Sequence, residues 1–88
     1  MAQATSALPH TLQDGVAVRN AADLGALVRA VRREQGLTQL DLAGTANTGN
    51  RFVIDLEKGK PTLQLQKAID ALALLGLEVV IRRKRTGS

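Results

Sequence analysis

Two adjacent polar side chains, Asn50 and Arg51, stand at the start of a short helical pattern. A guanidinium group pairs with guanine through two parallel hydrogen bonds, and a carboxamide pairs with adenine in the same way. Each good pair of this kind contributes about 1 to 3 kcal/mol of discrimination between bases. Both residues also have a simpler interpretation, since Arg51 precedes Asp55 by one helical turn and Asn50 could cap its own helix.

Groups that suit phosphate oxygens surround this pair in the sequence. Thr38, Asn47 and Thr48 precede it and offer hydrogen-bond donors, while Lys58 and Lys60 follow it and offer positive charge. Contacts to phosphate position a protein on a nucleic acid without reading its sequence. Together with the pair at the helix start, these residues predict a surface that contacts both the backbone and the bases of DNA.

The chain has few residues that could support catalysis or bind a metal ion. The single His, His10, lies in a segment predicted to be a flexible arm, and there is no Cys. No Ser-His-acid or Cys-His arrangement can therefore be assembled, and the ligands for a metal ion are too few. The spacing of Gly44 and Gly49 matches a phosphate-binding loop, but Asn50 and Arg51 follow where such a loop has Lys and Ser or Thr. We therefore expect no enzyme activity, no metal and no cofactor.

The composition narrows the classes of protein to which the chain could belong. Eighty-eight residues allow one small domain, and the absence of cysteine removes disulfides, which favours a cytoplasmic protein. The longest apolar run covers residues 71–77, far short of the roughly 20 that a membrane helix needs. The net charge of +4 comes entirely from residues 82–85, and residues 1–81 are neutral. This basic tail is interpreted as a solubilising end, a nonspecific DNA clamp or a contact for an acidic partner.

Four helices are predicted to position these groups. Asn20, Thr38 and Thr62 are residue types that cap the start of a helix, and Gly59 and Gly76 suit the ends of the third and fourth helices. The third helix is predicted to begin near residue 49 or 50. Apolar residues recur at helical spacing; they are Leu24, Leu27, Val28 and Val31, then Leu42 and Ala43, then Val53 and Leu56, and finally Leu65, Ala68, Ile69, Leu72 and Leu75. Ala71 and Leu74 widen this last face beyond what a single neighbouring helix would cover.

The last apolar segment has the composition of a β-strand. Leu77, Val79 and Ile81 lie on one side of an extended chain. A lone strand leaves its backbone groups unpaired, so we expect it to pair with the same strand of a second subunit across a two-fold axis. Residues 16–19 are a short candidate for a further strand. The predicted dimerisation residues are Leu72, Leu75, Leu77, Val79, Val80 and Ile81.

A known family combines these features. The chain contains Gly36-Leu37-Thr38-Gln39, then Leu42-Ala43, Val53, Leu56-Glu57 and Gly59. At this spacing, over about residues 24–75, it resembles the Cro/C1-type (XRE) helix-turn-helix proteins. The chain also contains Arg51-Phe52-Val53, Leu56-Glu57-Lys58-Gly59-Lys60-Pro61-Thr62 and Leu74-Leu75-Gly76-Leu77, followed by the strand. These residues resemble the HipB-type antitoxins.

The resemblance implies an all-α, lambda-repressor-like domain of four helices with a C-terminal β-strand that pairs across a homodimer. It implies a palindromic operator and a HipA-like Ser/Thr kinase toxin as partners. It also implies contact of Gln39 with the DNA backbone and the first base, and a structural pair of Arg32 with Glu57. The predicted organisation is a flexible N-terminal arm in residues 1–15, a helix-turn-helix DNA-binding and dimerisation domain in residues 16–81, and a basic tail in residues 82–88.

The predicted function is a sequence-specific repressor that acts as the antitoxin of a HipA-like kinase and autoregulates its operon. One alternative is a free-standing Cro/C1-like repressor without a toxin partner. Another is a protein-interaction module that uses the helix-turn-helix as a scaffold. The acids Asp41, Asp55 and Glu57, which lie near the expected DNA side, keep this last alternative open.

Overall fold

The structure, a computed structural model, describes residues 15–84. It contains the helices α1 (Ala21–Glu34), α2 (Gln39–Thr45), α3 (Asn50–Lys58) and α4 (Leu65–Leu74), which confirms the predicted helical class. Within this part of the chain, no helix combines the length and hydropathy needed to cross a membrane. The predicted arm, apart from Gly15, and residues 85–88 of the predicted tail lie outside the described residues.

Local sequence signals set the ends of the first three helices. The Asn20 side chain accepts a hydrogen bond from the Asp23 N–H at 2.8 Å, so α1 begins where its predicted cap places it. Thr38 caps α2 and forms a reciprocal box with Asp41, in which each backbone N–H donates to the other side chain. α3 ends at Gly59, whose φ of +83° lies in the left-handed region that favours glycine.

The start of α4 corrects the prediction that Thr62 caps this helix. α4 begins at Leu65, and its N-cap residue, Gln64, makes no side-chain capping hydrogen bond. The intervening Leu63 is half-buried against the core. Even partial burial of a leucine side chain stabilises the protein by a free energy comparable to the roughly 1 kcal/mol that an N-cap contributes. Packing of Leu63 therefore outweighs the local signal of Thr62.

The core is built from all four helices. α1 and α2 both pack on α3, and α4 packs on α2. The buried apolar residues are Val28, Val31, Leu42, Ala43, Val53, Leu56, Ala68, Ala71, Leu72 and Leu75. Phe52 is half-buried and packs against this cluster from the flank of α3. The predicted inward-facing residues of α2 and α3 are thus confirmed.

The buried face of α4 differs from the predicted one. The sequence pattern assigns Leu65 and Ile69 to it, but these side chains are 73% and 38% exposed, while Ala71, predicted only to widen the face, is fully buried. A helix turns by about 100° per residue, so a face centred on Ala68 and Leu75 leaves Ile69 on its flank. α4 therefore keeps apolar surface outside the core of the single subunit.

The predicted dimerisation residues of α4 lie inside the subunit. Leu72 and Leu75 belong to its core, and Leu77 is half-buried against that core. The Leu77 N–H donates to the Leu72 carbonyl oxygen at 2.9 Å, which holds the chain close to the end of α4. These three residues stabilise one chain and offer little surface to a second.

The remaining predicted dimerisation residues lie on the surface. Val79, Val80 and Ile81 are 54%, 65% and 89% exposed. The single chain forms no strand anywhere in residues 15–84, because a strand is defined by a hydrogen-bonded neighbour. Pairing of this segment across a homodimer stays a prediction, and exposure of three β-branched side chains agrees with it.

Candidate nucleic-acid interface

The outward face of α3 carries Asn50, Ile54 and Lys58. These residues are spaced by four, which places them along one side of the helix. Asn50 and Lys58 are exposed and Ile54 is half-buried, whereas Val53 and Leu56 on the other side are buried in the core. α3 therefore presents polar groups outward from a helix that packing holds in place, which is the arrangement needed to enter a major groove.

Arg51 forms the predicted ion pair on the surface of α3. Its Nε lies 3.3 Å from Asp55 Oδ1, and Lys60 Nζ lies 3.7 Å from Asp55 Oδ2. The Arg51 side chain is 75% exposed, and an arginine has five N–H donors. An exposed pair contributes at most about 1 kcal/mol to stability. The ion pair therefore leaves the guanidinium accessible and is compatible with a base contact.

Gln39, the first residue of α2, is tied to the last turn of α3. The buried Glu57 carboxylate accepts hydrogen bonds from Arg32 Nε at 2.5 Å and Nη2 at 3.0 Å, and from Gln39 Nε2 at 3.1 Å. Arg32 Nη1 donates to the Leu37 carbonyl oxygen at 2.7 Å. The predicted structural pair of Arg32 and Glu57 is thus confirmed, and it also holds the start of α2.

A shallow recess surrounds this cluster. It is lined by Arg29, Arg32, Gln39, Ile54, Glu57 and Lys58. Two predicted DNA-binding residues, Gln39 and Lys58, therefore share one surface, and Arg29 adds a positive charge that the sequence prediction did not assign. The contact of Gln39 with Glu57 was also missed, because no periodic pattern links residues that far apart in the chain.

The predicted phosphate-binding residues flank α2. Thr38 Oγ1 accepts a hydrogen bond from the Asp41 N–H at 3.0 Å, and that bond does not use the hydroxyl hydrogen. Asn47 is exposed, with a left-handed φ of +57° that asparagine tolerates. Thr48 is half-buried, and its hydroxyl donates to the Gly49 carbonyl oxygen at 3.3 Å. Asn47 is thus better placed than Thr48 to donate to a phosphate, and the Thr38 hydroxyl is shared with the Asp41 carboxylate.

The capping box also keeps the Asp41 carboxylate charged at the start of α2. The Thr38 backbone N–H donates to Asp41 Oδ2 at 2.9 Å. This bond, with a smaller contribution from the Thr38 side chain, holds the pKa of the Asp41 carboxyl below its ordinary value. Asp41 is therefore ionised at neutral pH, where its charge favours the N-terminal end of the helix dipole.

Comparison with known proteins finds a relative by sequence. No protein-family model matches the chain. The uncharacterized HTH-type transcriptional regulator y4mF of Sinorhizobium fredii is 52% identical over 64 residues. The aligned part is 73% of this chain and 84% of that protein.

Solved structures share the fold. A HipB-O4 20mer complex and a HipA-HipB-O2-O3 complex each contain a chain that matches with a TM-score of 0.73 and 18% identity, over 80% of this chain and 99% of theirs. A complex of a HipB variant with an O2 20mer matches with the same TM-score, 0.73, over 97% of its chain. At this identity the likeness concerns the fold, and it confirms the predicted resemblance to HipB at that level.

Proposed function

This chain belongs to the helix-turn-helix transcriptional regulators, and on that premise we propose that it is a sequence-specific repressor acting as the antitoxin of a HipA-like Ser/Thr kinase. The observation that carries the DNA-binding part is the outward face of α3. Asn50 and Arg51 project from the start of a helix whose opposite face is buried in the core. α3 enters the major groove, and these two side chains contact base edges.

The backbone contacts lie on both sides of α3. Thr38 approaches phosphate from the start of α2, with Asn47 and Thr48 in the turn that follows. Gln39, also at the start of α2, contacts both the DNA backbone and the first base. Lys58 and Lys60 supply charge beyond the end of α3 and neutralise phosphates. This division of roles gives affinity mainly to the flanking residues and base preference mainly to the start of α3, while Gln39 contributes to both.

A homodimer presents two copies of α3 to the operator. The exposure of Val79, Val80 and Ile81, at 54%, 65% and 89%, supports pairing of this segment with its copy in a second subunit. Two-fold symmetry then requires a palindromic operator whose half-sites are about 34 to 36 Å apart, or a multiple of that distance. The protein autoregulates its operon by binding there, in the cytoplasm.

The kinase partner rests on the fold. The matching chains include HipB from a complex that also contains HipA. Similarity over 80% of this chain supports a HipA-like kinase as the partner. The alternative of a free-standing repressor has the same DNA interface and lacks this partner, so the partner has to be tested separately from the DNA.

The acids near the expected DNA side have partners within the subunit. This pairing favours DNA binding over the alternative of a protein-interaction module. Asp55 faces Arg51 and Lys60, and Glu57 faces Arg32, while Asp41 is bonded within its capping box. Because Asp55 and Glu57 face cations within the subunit, these two carboxylates repel phosphate less than an unpaired acid would. They are equally poor anchors for a basic partner protein.

A gel shift tests the proposal most directly. The full chain is mixed with its own promoter, with a scrambled promoter as control, and with or without the product of the adjacent gene. We expect a shifted band and a palindromic footprint for the chain alone, and a larger complex when the adjacent product is added. Equal binding to both DNAs contradicts the repressor. A specific shift without any complex with the adjacent product supports the free-standing repressor instead.

A further inference from the structure

Glu57 lies at the point where the core meets the proposed DNA interface. Its side chain is 4% exposed, and its two oxygens receive hydrogen bonds from Arg32 and from Gln39. Gln39 is half-exposed, so one side of its carboxamide faces Glu57 while another faces solvent. The same carboxylate therefore contacts an element of the fold and a predicted DNA-binding side chain.

The chemistry of this contact sets the orientation of the Gln39 carboxamide. A carboxylate only accepts hydrogen bonds, whereas a carboxamide has an NH2 group that donates and an oxygen that accepts. Turning the amide over would bring its oxygen against the Glu57 oxygens. Arg32 holds those oxygens in place through two further bonds. Nε2 of Gln39 is therefore directed toward the protein, and Oε1 is directed away from Glu57.

We propose that Glu57 is a positioning residue for base recognition, which orients Gln39 so that it reads adenine and rejects guanine. This inference rests on the proposed DNA binding and extends it. In the major groove, adenine offers the N6 donor beside the N7 acceptor, which match Oε1 and the second Nε2 proton of Gln39. Guanine offers two acceptors, O6 and N7, which leave the outward Oε1 without a donor.

Charge also favours this arrangement. An unpaired carboxylate near the phosphates would repel DNA, but the guanidinium of Arg32 faces this one within 2.5 Å. Burial shields the pair from salt, so its geometry persists at the ionic strength at which a repressor works. Glu57 can thus orient a DNA-binding side chain without placing a net charge at the interface.

A double-mutant cycle with operators that differ at a single symmetric position tests the proposal. The proteins are the full-length wild type, Glu57→Gln, Gln39→Ala and the double variant. Glu34→Gln is the control, because it removes one exposed carboxylate from a different helix, α1. Every affinity is measured well below the unfolding temperature of the least stable variant.

We expect the wild type to prefer adenine over guanine at one position of each half-site by about tenfold, within the range for one good side-chain–base pair. Glu57→Gln should reduce this preference at least threefold, because it disturbs one pair between a side chain and a base. In the Gln39→Ala background the same change should leave the preference unaltered. Glu34→Gln should match the wild type.

Two outcomes separate this inference from the proposed function. If Glu57→Gln lowers affinity equally in both backgrounds and leaves base preference intact, Glu57 is only structural and the inference is wrong. If the wild type binds its promoter no better than scrambled DNA, the proposed function fails and the inference fails with it.

Nuclear magnetic resonance of the free wild-type chain provides a test that no folding defect can obscure. One Nε2 proton of Gln39 should resonate downfield of those of exposed glutamines and exchange slowly with water, because it is bonded to a buried carboxylate. Two protons with the shifts and exchange rates of an exposed glutamine would overturn the proposed orientation.

Discussion

A β-carbon on Gly25 would clash with the carbonyl oxygen of Leu56. The same atom would lie 2.7 Å from the carbonyl oxygen of Glu57, so α1 and the last turn of α3 are in direct backbone contact. That turn also holds the Glu57 carboxylate, which bonds Arg32 and Gln39. The position of α3, and with it the proposed DNA interface, depends on the absence of a side chain at residue 25.

Gly25→Ala should therefore destabilise the protein. Overpacking typically costs about 1 to 3 kcal/mol, and here the obstacle is backbone that cannot move away alone, so we expect the upper end of that range. Urea unfolding followed by circular dichroism measures the change. Gly44→Ala is the matched control, since nothing lies within 4 Å of its added carbon and alanine stabilises a helix by about 0.5 to 1 kcal/mol. Equal stability of both variants would contradict the contact.

Arg51→Ala should relax base preference. Loss of a guanidinium–guanine pair costs about 1 to 3 kcal/mol for the preferred operator and much less for other sequences. Binding to a set of operators with single substitutions measures the difference. Arg33→Ala removes the same charge from an exposed site on α1 and should weaken binding to all operators alike. If Arg51→Ala weakens them all alike too, its role is limited to the phosphates.

Acid should remove the contribution of Asp41 to stability. Its pKa is lowered in the folded chain, mainly by the Thr38 backbone N–H, so its contribution is complete above the ordinary pKa of about 4. The contribution is lost as the pH falls through the lower, folded-state value. The free-energy difference between wild type and Asp41→Asn, measured by urea unfolding, should be constant from neutral pH down to about pH 5 and shrink below about pH 4. A difference that stays constant into strong acid would contradict this.

Ile81→Arg should dissociate the proposed dimer. The side chain is 89% exposed in the single chain, so the change leaves the subunit core intact while placing a charge within the predicted strand pair. Sedimentation at micromolar concentration should give a dimer for the wild type and a monomer for the variant. Leu40→Arg, at a site 68% exposed on α2, should remain a dimer. A monomeric wild type would refute strand pairing altogether.

Deletion of residues 82–88 tests the basic tail. If Arg82, Arg83 and Lys84 neutralise phosphates, the slope of the logarithm of affinity against that of salt concentration should flatten by about 0.9 for each lost contact. Filter binding between low and physiological salt measures the slope. Deletion of residues 86–88 alone removes no charge and should preserve it. An unchanged slope for the longer deletion would assign the tail to solubility or to a protein partner.

Features that act within one helical turn could be predicted from the sequence. The caps at Asn20 and Thr38 bond groups three residues away, and Gly59 ends α3 through its own backbone conformation. The pair of Arg32 and Glu57 was predicted from the family resemblance rather than from any local pattern. Together, these features predict the order of the helices and the outward direction of the Arg51 side chain.

Features that depend on packing between helices were not predicted. Thr62 has the chemistry of a cap, but burial of Leu63 delays the start of α4. The pattern of α4 is apolar on several sides, so only its packing on α2 decides that Ala71 is buried while Ile69 lies on the flank. The bond between Gln39 and Glu57 likewise exists only after α2 and α3 have met.

Phe52 is half-buried on the flank of α3 and is the single aromatic residue of the chain, which has no Trp or Tyr. The protein therefore absorbs very weakly in the near ultraviolet and has no Trp or Tyr fluorescence. Fluorophenylalanine incorporated during expression would give one 19F resonance, and that resonance would come from α3. Titration of operator DNA into such a sample would follow the proposed recognition helix by itself, without assignment and without background from any other residue.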